Sequence, residues 1–161
     1  DQGGRLSVAN LNAPGQVVVA GGEEDLEWLA ENGAGYGVRR VIRLNVAGAF
    51  HSDFMAPAAE RLEAALRDSE IGEPQLPVWS NTTAQPHGTR LVETLVDQVV
   101  SPVRFAESLE NMAATGVSTF VHVGPGDVTA GMARKTLPGA QVLVVSSLDD
   151  IAVAVESIGT M

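Results

Sequence analysis

The sequence has no cysteine, which excludes disulfide bonds and thiolate metal sites and favours a cytoplasmic setting. Its three histidines are isolated from one another along the chain, so a metal centre is not expected. No apolar run approaches the roughly 20 residues that a membrane-spanning helix needs, and the first residues, DQGGRLSV, lack the basic-then-apolar pattern of a signal peptide. These absences predict a cytoplasmic protein that does not enter a membrane.

Basic residues are also scarce: ten lysines and arginines stand against twenty aspartates and glutamates, for a formal net charge of -10. A nucleic-acid partner is not expected, because nucleic-acid binding needs a basic footprint. Two basic clusters interrupt the acidic composition: Arg39, Arg40 and Arg43 form the first, and Arg134 and Lys135 form the second. They are interpreted either as solvated ends of strands and helices or as docking sites for an acidic partner.

The chain has the length and the apolar content for one hydrophobic core, with 161 residues of which 45% are hydrophobic. Seventeen glycines and eight prolines are spread along its whole length without a low-complexity block, which is typical of an ordered protein with many short turns. One compact unit is therefore predicted.

The first part of the chain alternates short β-like runs with one helical segment. Pro14-Gly15 marks a turn between the first two runs, which predicts a hairpin. Glu23 opens an acidic first helical turn, and Gly33 stops the helix. The predicted order is strand, strand, helix and strand, at residues 6–10, 16–20, 23–32 and 39–46. This β-β-α-β order matches the last two-thirds of a ferredoxin-like βαββαβ unit, so residues 1–46 are predicted to be an incomplete ferredoxin-like subdomain, and the chain is expected to begin inside a domain.

The remaining part of the chain, residues 47–161, alternates helices and strands. Ser52 or Asp53 is predicted to cap the first helix, and Pro102 to begin a later one. The predicted elements are, in order, a helix from 53, a strand at 76–80, helices around 91–99 and 102–115, a buried strand at 117–123, a helix at 126–135, a strand at 141–145 and a helix at 149–158. This alternation implies right-handed crossovers and a parallel sheet covered by helices, which is an α/β fold.

A histidine stands at the junction between a predicted strand and a predicted helix, in the segment Ala49-Phe50-His51-Ser52. Such junctions are where α/β folds expose functional side chains. A histidine there can take a proton from a nucleophile near neutral pH and return it to a leaving group. From these residues alone, His51 is interpreted equally well as a catalytic acid and base or as a turn or helix-cap residue.

The chain offers no evident nucleophile for that histidine. The G-x-S-x-G elbow that carries the serine nucleophile of many α/β enzymes is absent. Its nearest approach, residues 116–120, lacks the second glycine and opens a strand instead of leaving one, so Ser118 is not expected to be a nucleophile. Ser52 is adjacent to His51 and is better explained as the helix N-cap.

Other polar features are weak signals on their own. The glycine turn at 124–131 follows a strand and opens a helix, as a phosphate-binding loop does. It lacks both the Lys-Ser/Thr ending of a P-loop and the glycine spacing of a dinucleotide-binding loop, so a tight turn that permits close packing is favoured. Asn10 and Asn12 lie beside a turn, where amides usually bond to their own backbone. Asp97 and Gln98 lie late in a predicted helix, where a free carbonyl or side chain can accept a bond from an imidazole N–H.

Five short motifs occur together in order along nearly the whole chain. They are Asn10-x-Asn12-x-Pro14-x-Gln16, Ala49-Phe50-His51-Ser52-x-x-Met55, Val78-x-Ser80-Asn81-x-x-Ala84, Gln98-x-x-x-Pro102-Val103-Arg104-Phe105 and Val123-Gly124-Pro125-Gly126. In this order and at these intervals, the sequence resembles the malonyl-CoA:acyl carrier protein transacylases and, more broadly, the acyltransferase domains of fatty acid and polyketide synthases.

The resemblance implies an α/β-hydrolase-like parallel-sheet core with an inserted ferredoxin-like subdomain and an active site between them. Residues 47–161 are then the C-terminal part of that core. In this family a serine in a G-H-S-x-G elbow attacks malonyl-CoA, and the phosphopantetheine thiol of acyl carrier protein then attacks the malonyl-serine ester. The resemblance implies that His51 is the acid and base for both steps, and that Gln98 holds its imidazole through the main-chain carbonyl.

Substrate and partner residues also follow from the resemblance. Phe50 is expected to contact the acyl group and to favour malonyl over methylmalonyl, because a bulky ring leaves little room for a methyl group. Asn12 is expected to contact substrate, and Arg39 and Arg40 to dock acyl carrier protein. No cofactor is implied beyond the substrates, malonyl-CoA and phosphopantetheinylated acyl carrier protein. His122 stands where relatives usually carry an acidic residue, and it is interpreted as structural variation.

The family's serine, its oxyanion-hole glutamine and its malonyl-binding arginine all lie upstream of the segment that this chain resembles. The chain is therefore expected to need the N-terminal half of the same enzyme and to be inactive alone. The leading hypothesis is a fragment of an acyltransferase of fatty acid synthesis. Two alternatives stay open: a fragment of a polyketide synthase acyltransferase domain, and a non-catalytic module that binds carrier protein or acyl groups.

Overall fold

The computed structural model describes residues 5–159, of which the first form an antiparallel hairpin. β1 spans Ser7–Ala13 and β2 spans Gln16–Ala20. Pro14 and Gly15 connect the two strands, and Gly15 adopts a φ of +70°, which residues with a side chain rarely reach. The hairpin predicted from the Pro-Gly turn is confirmed, with a first strand that is longer than predicted.

The hairpin is followed by α1, Glu23–Asn32, whose first turn holds three acidic residues next to the positive end of the helix dipole. A 3₁₀ turn, Gly33–Tyr36, follows the helix. It brings the ring of Tyr36 to 5.7 Å from the ring of Trp28. The predicted helix and its stop at Gly33 are confirmed.

The strand predicted at residues 39–46 is wrong. These residues are irregular and exposed, although their aliphatic side chains are typical of strands. A strand is stable only when a neighbour satisfies its N–H and C=O groups, and no strand within residues 5–159 pairs with this segment. The described part of the predicted β-β-α-β subdomain is therefore β-β-α, and the boundary proposed at residue 46 stays a prediction.

The middle of the chain forms two helices that pack against each other. A 3₁₀ turn, Asp53–Met55, leads into α2, Ala56–Arg67, whose first turn contains Pro57. The next helix, α3, spans Leu91–Val100. Both helices were expected from the spacing of their apolar residues, and both expectations are confirmed.

Between these helices, the strand predicted at 76–80 is reduced to one antiparallel bridge, which joins Trp79 and Pro86. The chain reverses between these two residues, because the Ala84 N–H donates to the Ser80 carbonyl at 3.0 Å. Backbone groups that a longer strand would offer to a sheet are thus satisfied within the loop.

The last third of the chain forms a helix and then a parallel β-α-β unit. The elements are α4 at Phe105–Ala114, β3 at Thr119–Val123, α5 at Val128–Thr136, β4 at Gln141–Val145 and α6 at Asp150–Gly159. β3 and β4 pair in parallel, and α5 is the crossover between them, so the predicted α/β alternation is confirmed. Pro102, predicted to begin α4, lies instead before the N-cap of that helix, Arg104. Within residues 5–159, no helix combines the length and the apolar character needed to cross a membrane.

The side chains that are buried in this fold are mostly small. Those that are apolar are Ala9, Ala13, Ala20, Ala59, Ala84, Leu109, Ala130, Ala133 and Ala154. β3, predicted to be buried, is not: Val121 is 41% exposed and Val123, on the same face of the strand, is 76% exposed. α6 also leaves Val153 and Val155 exposed. Apolar exposure on one unit is typical of a surface that contacts other polypeptide.

Candidate functional site

His51 lies in the turn before α2, where it is half-buried and has a φ of +58°. Residues with a side chain rarely adopt this left-handed conformation, and they concentrate at sites where the surrounding structure holds them. One such support is the neighbouring Ser52, which is 2% exposed and whose hydroxyl donates to the Ala49 carbonyl at 2.5 Å. This bond closes the turn around the histidine backbone.

Ser52 holds the N-cap position of the 3₁₀ turn that follows, as predicted, with the extended backbone of an N-cap residue. Its side chain makes no capping hydrogen bond to the helical turn that follows, because the hydroxyl is directed back to Ala49. The alternative cap, Asp53, lies inside the 3₁₀ turn itself. α2 instead begins with Pro57 in its first turn, where a missing N–H has no cost.

The imidazole of His51 contacts the main chain of α3. Its Nδ1 lies 2.9 Å from the carbonyl oxygen of Gln98. A carbonyl oxygen can only accept, so in this hydrogen bond the proton must be on Nδ1. The contact involves the Gln98 backbone and not its side-chain amide.

This hydrogen bond leaves the second ring nitrogen, Nε2, with its lone pair available in the neutral imidazole. Gln98 is the residue that hydrogen-bonds to the His51 ring within the described part of the chain, and neither Ser52 nor Ser118 does so. The arrangement can accept a proton at Nε2 and return it, with the ring held in one orientation from the other side. That its nucleophile comes from outside the described residues stays a prediction.

Four other residues were predicted to belong to the site. Asn12 is half-buried on β1, and Phe50 precedes His51 and is 46% exposed. Arg39 and Arg40 are exposed in the irregular segment after α1. No hydrogen bond joins any of these four side chains to another described residue, so their roles stay predictions.

Sequence reasoning missed the role of Arg104. Its guanidinium donates to both carboxylate oxygens of Glu107 and also to the carbonyls of Thr82 and Thr83, at 3.1 and 3.3 Å. One side chain thus joins the start of α4 to the loop that precedes α3. The spacing of Arg104 and Glu107 by three residues hinted at the ion pair, but nothing in the sequence indicated the two carbonyls.

The connection between α3 and α4 is also bonded to the N-terminal hairpin. The Val103 N–H donates to the Ala9 carbonyl at 2.8 Å, and the Leu11 N–H donates to the Val103 carbonyl at 2.8 Å. Gln98 lies in the last turn of α3, just before this connection, and Asn12 follows Leu11 on β1. The site is therefore assembled from three separate parts of the chain: the hairpin, the turn before α2 and the end of α3.

His122 has partners on both ring nitrogens. Its Nδ1 lies 2.5 Å from the hydroxyl of Thr129, and its Nε2 lies 3.2 Å from the carbonyl of Gly124. Gly124 and Gly126 adopt φ values of +143° and +78°, where a side chain would be strained. The tight turn that the sequence indicated is therefore present, and His122 bonds to it, but a Cβ at Gly124 or Gly126 would have no atom within 4 Å, so close packing does not require these glycines.

The described residues contain no group of three or more histidine, aspartate and glutamate side chains placed to hold a metal ion. A cavity of about 450 Å³ lies between the end of α2 and the start of α3, with Glu63, Arg67 and Glu93 among its lining residues. His51 and Gln98 do not line this cavity. The absence of a cofactor stays a prediction.

The chain is similar to known proteins in both sequence and structure. The model of the family described as "Acyl transferase domain" matches residues 3–159. The malonyl CoA-acyl carrier protein transacylase of Bacillus subtilis (strain 168) is 37% identical over 160 residues, covering 98% of this chain and 50% of the relative. The crystal structure of the malonyl CoA-acyl carrier protein transacylase from Clostridium perfringens superposes with a TM-score of 0.92 at 32% identity, covering 100% of this chain and 51% of that one.

A further solved structure holds a type II polyketide synthase acyl-carrier protein in complex with its malonyl-transacylase, and it matches with a TM-score of 0.91 at 31% identity, covering 96% of this chain and 51% of that one. These superpositions confirm the predicted fold class, an α/β chain that forms part of the transacylase fold. The chain spans about half the length of the curated relatives it matches.

Proposed function

Because this chain belongs to the acyl transferase domain family, we propose that it supplies the acid–base histidine for transfer of a malonyl group from malonyl-CoA to the phosphopantetheine thiol of acyl carrier protein. The observation that carries the proposal is the hydrogen bond from His51 Nδ1 to the Gln98 carbonyl, because it leaves Nε2 as a proton acceptor. The relatives' shared name, malonyl CoA-acyl carrier protein transacylase, supplies the substrates of the proposal.

The proposed reaction has two acyl-transfer steps that use the same nitrogen. In the first, His51 Nε2 takes the proton of a serine hydroxyl while the serine oxygen attacks the malonyl thioester; the C–S bond breaks, and the leaving sulfur of coenzyme A takes that proton. In the second, the phosphopantetheine thiol gives its proton to Nε2 and its sulfur attacks the malonyl-serine ester; the ester C–O bond breaks, and the serine oxygen takes the proton from Nε2. The neutral Gln98 carbonyl fixes the imidazole in both steps, so no carboxylate is needed there.

Two residues beside this centre are proposed to contact the acyl substrate. Phe50 precedes His51 and is partly exposed, so its ring is available to line a pocket for the malonyl group. A bulky wall there discriminates against a methyl branch by about 1–3 kcal/mol at most. Asn12, on the β1 strand that is bonded to the α3–α4 connection, is proposed to donate or accept a hydrogen bond to the substrate.

The experiment that tests the function is a transfer assay on the full-length protein. Incubation with malonyl-CoA and phosphopantetheinylated acyl carrier protein is expected to give malonyl carrier protein, detected by intact mass. Methylmalonyl-CoA added as a competitor is expected to be used less well, and the preference should shrink in Phe50→Ala. Carrier proteins of fatty acid and polyketide synthesis, offered together, distinguish the two transferase hypotheses. Binding of carrier protein without turnover would establish a non-catalytic module instead.

Arg39 and Arg40 are proposed to dock acyl carrier protein, an acidic partner by the family resemblance. Both are exposed and make no ion pair with any described residue. Arg43, the third member of the cluster, is already paired within the chain. Its guanidinium donates to Glu23, and this hydrogen bond raises the pKa of Arg43. Two of the three cationic groups are thus available to a partner.

Replacing both Arg39 and Arg40 by glutamate in the full-length protein is expected to raise the KM for carrier protein about 10-fold at low salt, because charge steering acts mainly on association. The salt dependence of transfer should weaken, while acylation by malonyl-CoA alone should change little. Stopped-flow acylation and steady-state transfer separate the two steps. Arg61→Glu with Lys135→Glu makes the same charge change at two exposed positions elsewhere and serves as the control. An equal loss in both steps would show that Arg39 and Arg40 are structural or bind the nucleotide.

The exposed valines of β3 and α6 are proposed to pack against the polypeptide that corresponds to the unmatched half of the relatives. A two-stranded parallel sheet is an unusual free-standing unit, because parallel sheets are normally covered and extended. Val123 on β3 and Val153 on α6 are 76% and 66% exposed. The partner proposed for this chain, besides its substrates, is therefore the N-terminal half of the same enzyme.

A further inference from the structure

The Gln98 carbonyl lies in the last turn of α3, and residue 102 decides whether a helical backbone N–H is available to it. In a continuing helix, this oxygen would accept the N–H of residue 102. Residue 102 is proline, which has no N–H. The preceding carbonyl, that of Asp97, keeps its helical partner, the Ser101 N–H at 3.0 Å. Asp97 is therefore the last residue of α3 whose carbonyl accepts a helical hydrogen bond.

The backbone beyond Gln98 also turns away from α3. Ser101 has φ -106° and ψ 155°, the extended conformation that a residue before proline prefers. The next two N–H groups are occupied elsewhere: that of Val103 donates to the Ala9 carbonyl at 2.8 Å, and that of Arg104 donates to the Asn81 carbonyl at 2.7 Å. No backbone donor from this connection competes with the imidazole for the Gln98 oxygen.

We propose that Pro102 is a positioning residue for His51. By removing the one backbone N–H that α3 would direct at the Gln98 carbonyl, proline reserves that oxygen for the His51 Nδ1–H, which lies 2.9 Å away. The ring is thereby held in the tautomer whose Nε2 accepts protons. Only the use made of Nε2 rests on the proposed function, because the hydrogen bond is a feature of the fold.

The chain contains a second proline that follows a helix in the same way as Pro102. Pro138 also directly follows the C-cap of a helix, Leu137 at the end of α5, and it is exposed like Pro102. It likewise removes the N–H that would reach the carbonyl four residues earlier, that of Arg134. The described residues place no histidine at that carbonyl. Pro138 therefore reports what loss of a helix-ending proline does by itself.

The test compares Pro102→Ala with Pro138→Ala in the full-length protein, by two readouts. The ¹⁵N chemical shifts of the His51 ring, assigned by their absence from His51→Gln, report which nitrogen carries the proton. Pro102→Ala restores the N–H and relaxes Ser101, so it is expected to give mixed tautomers, whereas Pro138→Ala keeps Nδ1 protonated. The kcat for malonyl transfer is expected to fall about 3- to 10-fold in Pro102→Ala, the effect of one neutral hydrogen bond, with KM little changed.

A Pro102→Ala protein that folds and keeps Nδ1 fully protonated would overturn the proposal, as would an equal tautomer change in Pro138→Ala. If Pro102→Ala does not fold, Pro102→Gly carries the same N–H with a more permissive backbone and takes its place. The two proposals fail separately. A wild-type protein without malonyl transfer contradicts the proposed function, while the tautomer comparison still decides the role of Pro102.

Discussion

Replacing His51 by glutamine in the full-length protein is expected to lower kcat for malonyl transfer by about 10²–10⁴-fold, the usual range for loss of a general acid and base. Glutamine can still donate a hydrogen bond towards the Gln98 carbonyl, so the turn before α2 keeps an anchor. It cannot carry a proton between nucleophile and leaving group. The loss should therefore fall on turnover, and both acylation of the serine and transfer to carrier protein should slow.

His122→Gln is the control for that variant. The His122 ring contacts Thr129 and the glycine turn, and it takes no part in the proposed reaction. Steady-state kinetics and thermal melting of both variants separate chemistry from folding: His51→Gln should melt near the wild-type temperature and be almost inactive. A His51→Gln enzyme that keeps most of its turnover would show that another residue is the base.

The 161-residue chain on its own is expected to form no malonyl adduct and to transfer no malonyl group. A histidine base requires a nucleophile within hydrogen-bond reach, and the partner of the His51 ring among the described residues is the Gln98 carbonyl. Intact-mass measurement after incubation with malonyl-CoA checks this directly. A stable adduct on the isolated chain would contradict it, and peptide mapping would then identify the nucleophile.

Co-expression with the segment that corresponds to the other half of the relatives is expected to restore the adduct and the transfer. Val123→Glu, on the exposed face of β3, should weaken this restoration, because it places a charge in the proposed interface. Val17→Glu makes the same change at an exposed position of β2 and is the matched control. Equal restoration with both variants would indicate that β3 does not contact the added segment.

Local sequence signals predicted the elements that are stabilised within themselves. Helical spacing predicted α2, α3 and α4, and the Pro14-Gly15 turn predicted the hairpin, because a helix or a tight turn satisfies its backbone groups nearby in sequence. Strands at 39–46 and 76–80 were predicted from the same kind of pattern, but the first does not form and the second is reduced to a single bridge. A strand needs a partner that local sequence does not specify.

The candidate site, like the fold, was predicted only in part from the sequence. The Ala49-Phe50-His51-Ser52 motif marked the histidine from sequence, and the family resemblance indicated the Gln98 carbonyl. The positive φ of His51 was not predictable, because the hydroxyl of Ser52, which stands at the predicted N-cap position, donates to the Ala49 carbonyl and not to the helical turn. The hydrogen bonds from Arg104 to the loop carbonyls were missed for a different reason: their acceptors lie some twenty residues away in sequence.

The sequence by itself determined the helices, the hairpin, the lack of a serine elbow on this chain and the missing N–H at Pro102, because each of these follows from the identity and spacing of neighbouring residues. Only the tertiary structure decided which donor meets the carbonyl that Pro102 leaves free. His51 and Gln98 are 47 residues apart and meet because α2 packs on α3 and the turn before α2 points the ring at the last turn of α3. Contacts between distant segments depend on the packing of whole elements, which no local pattern specifies.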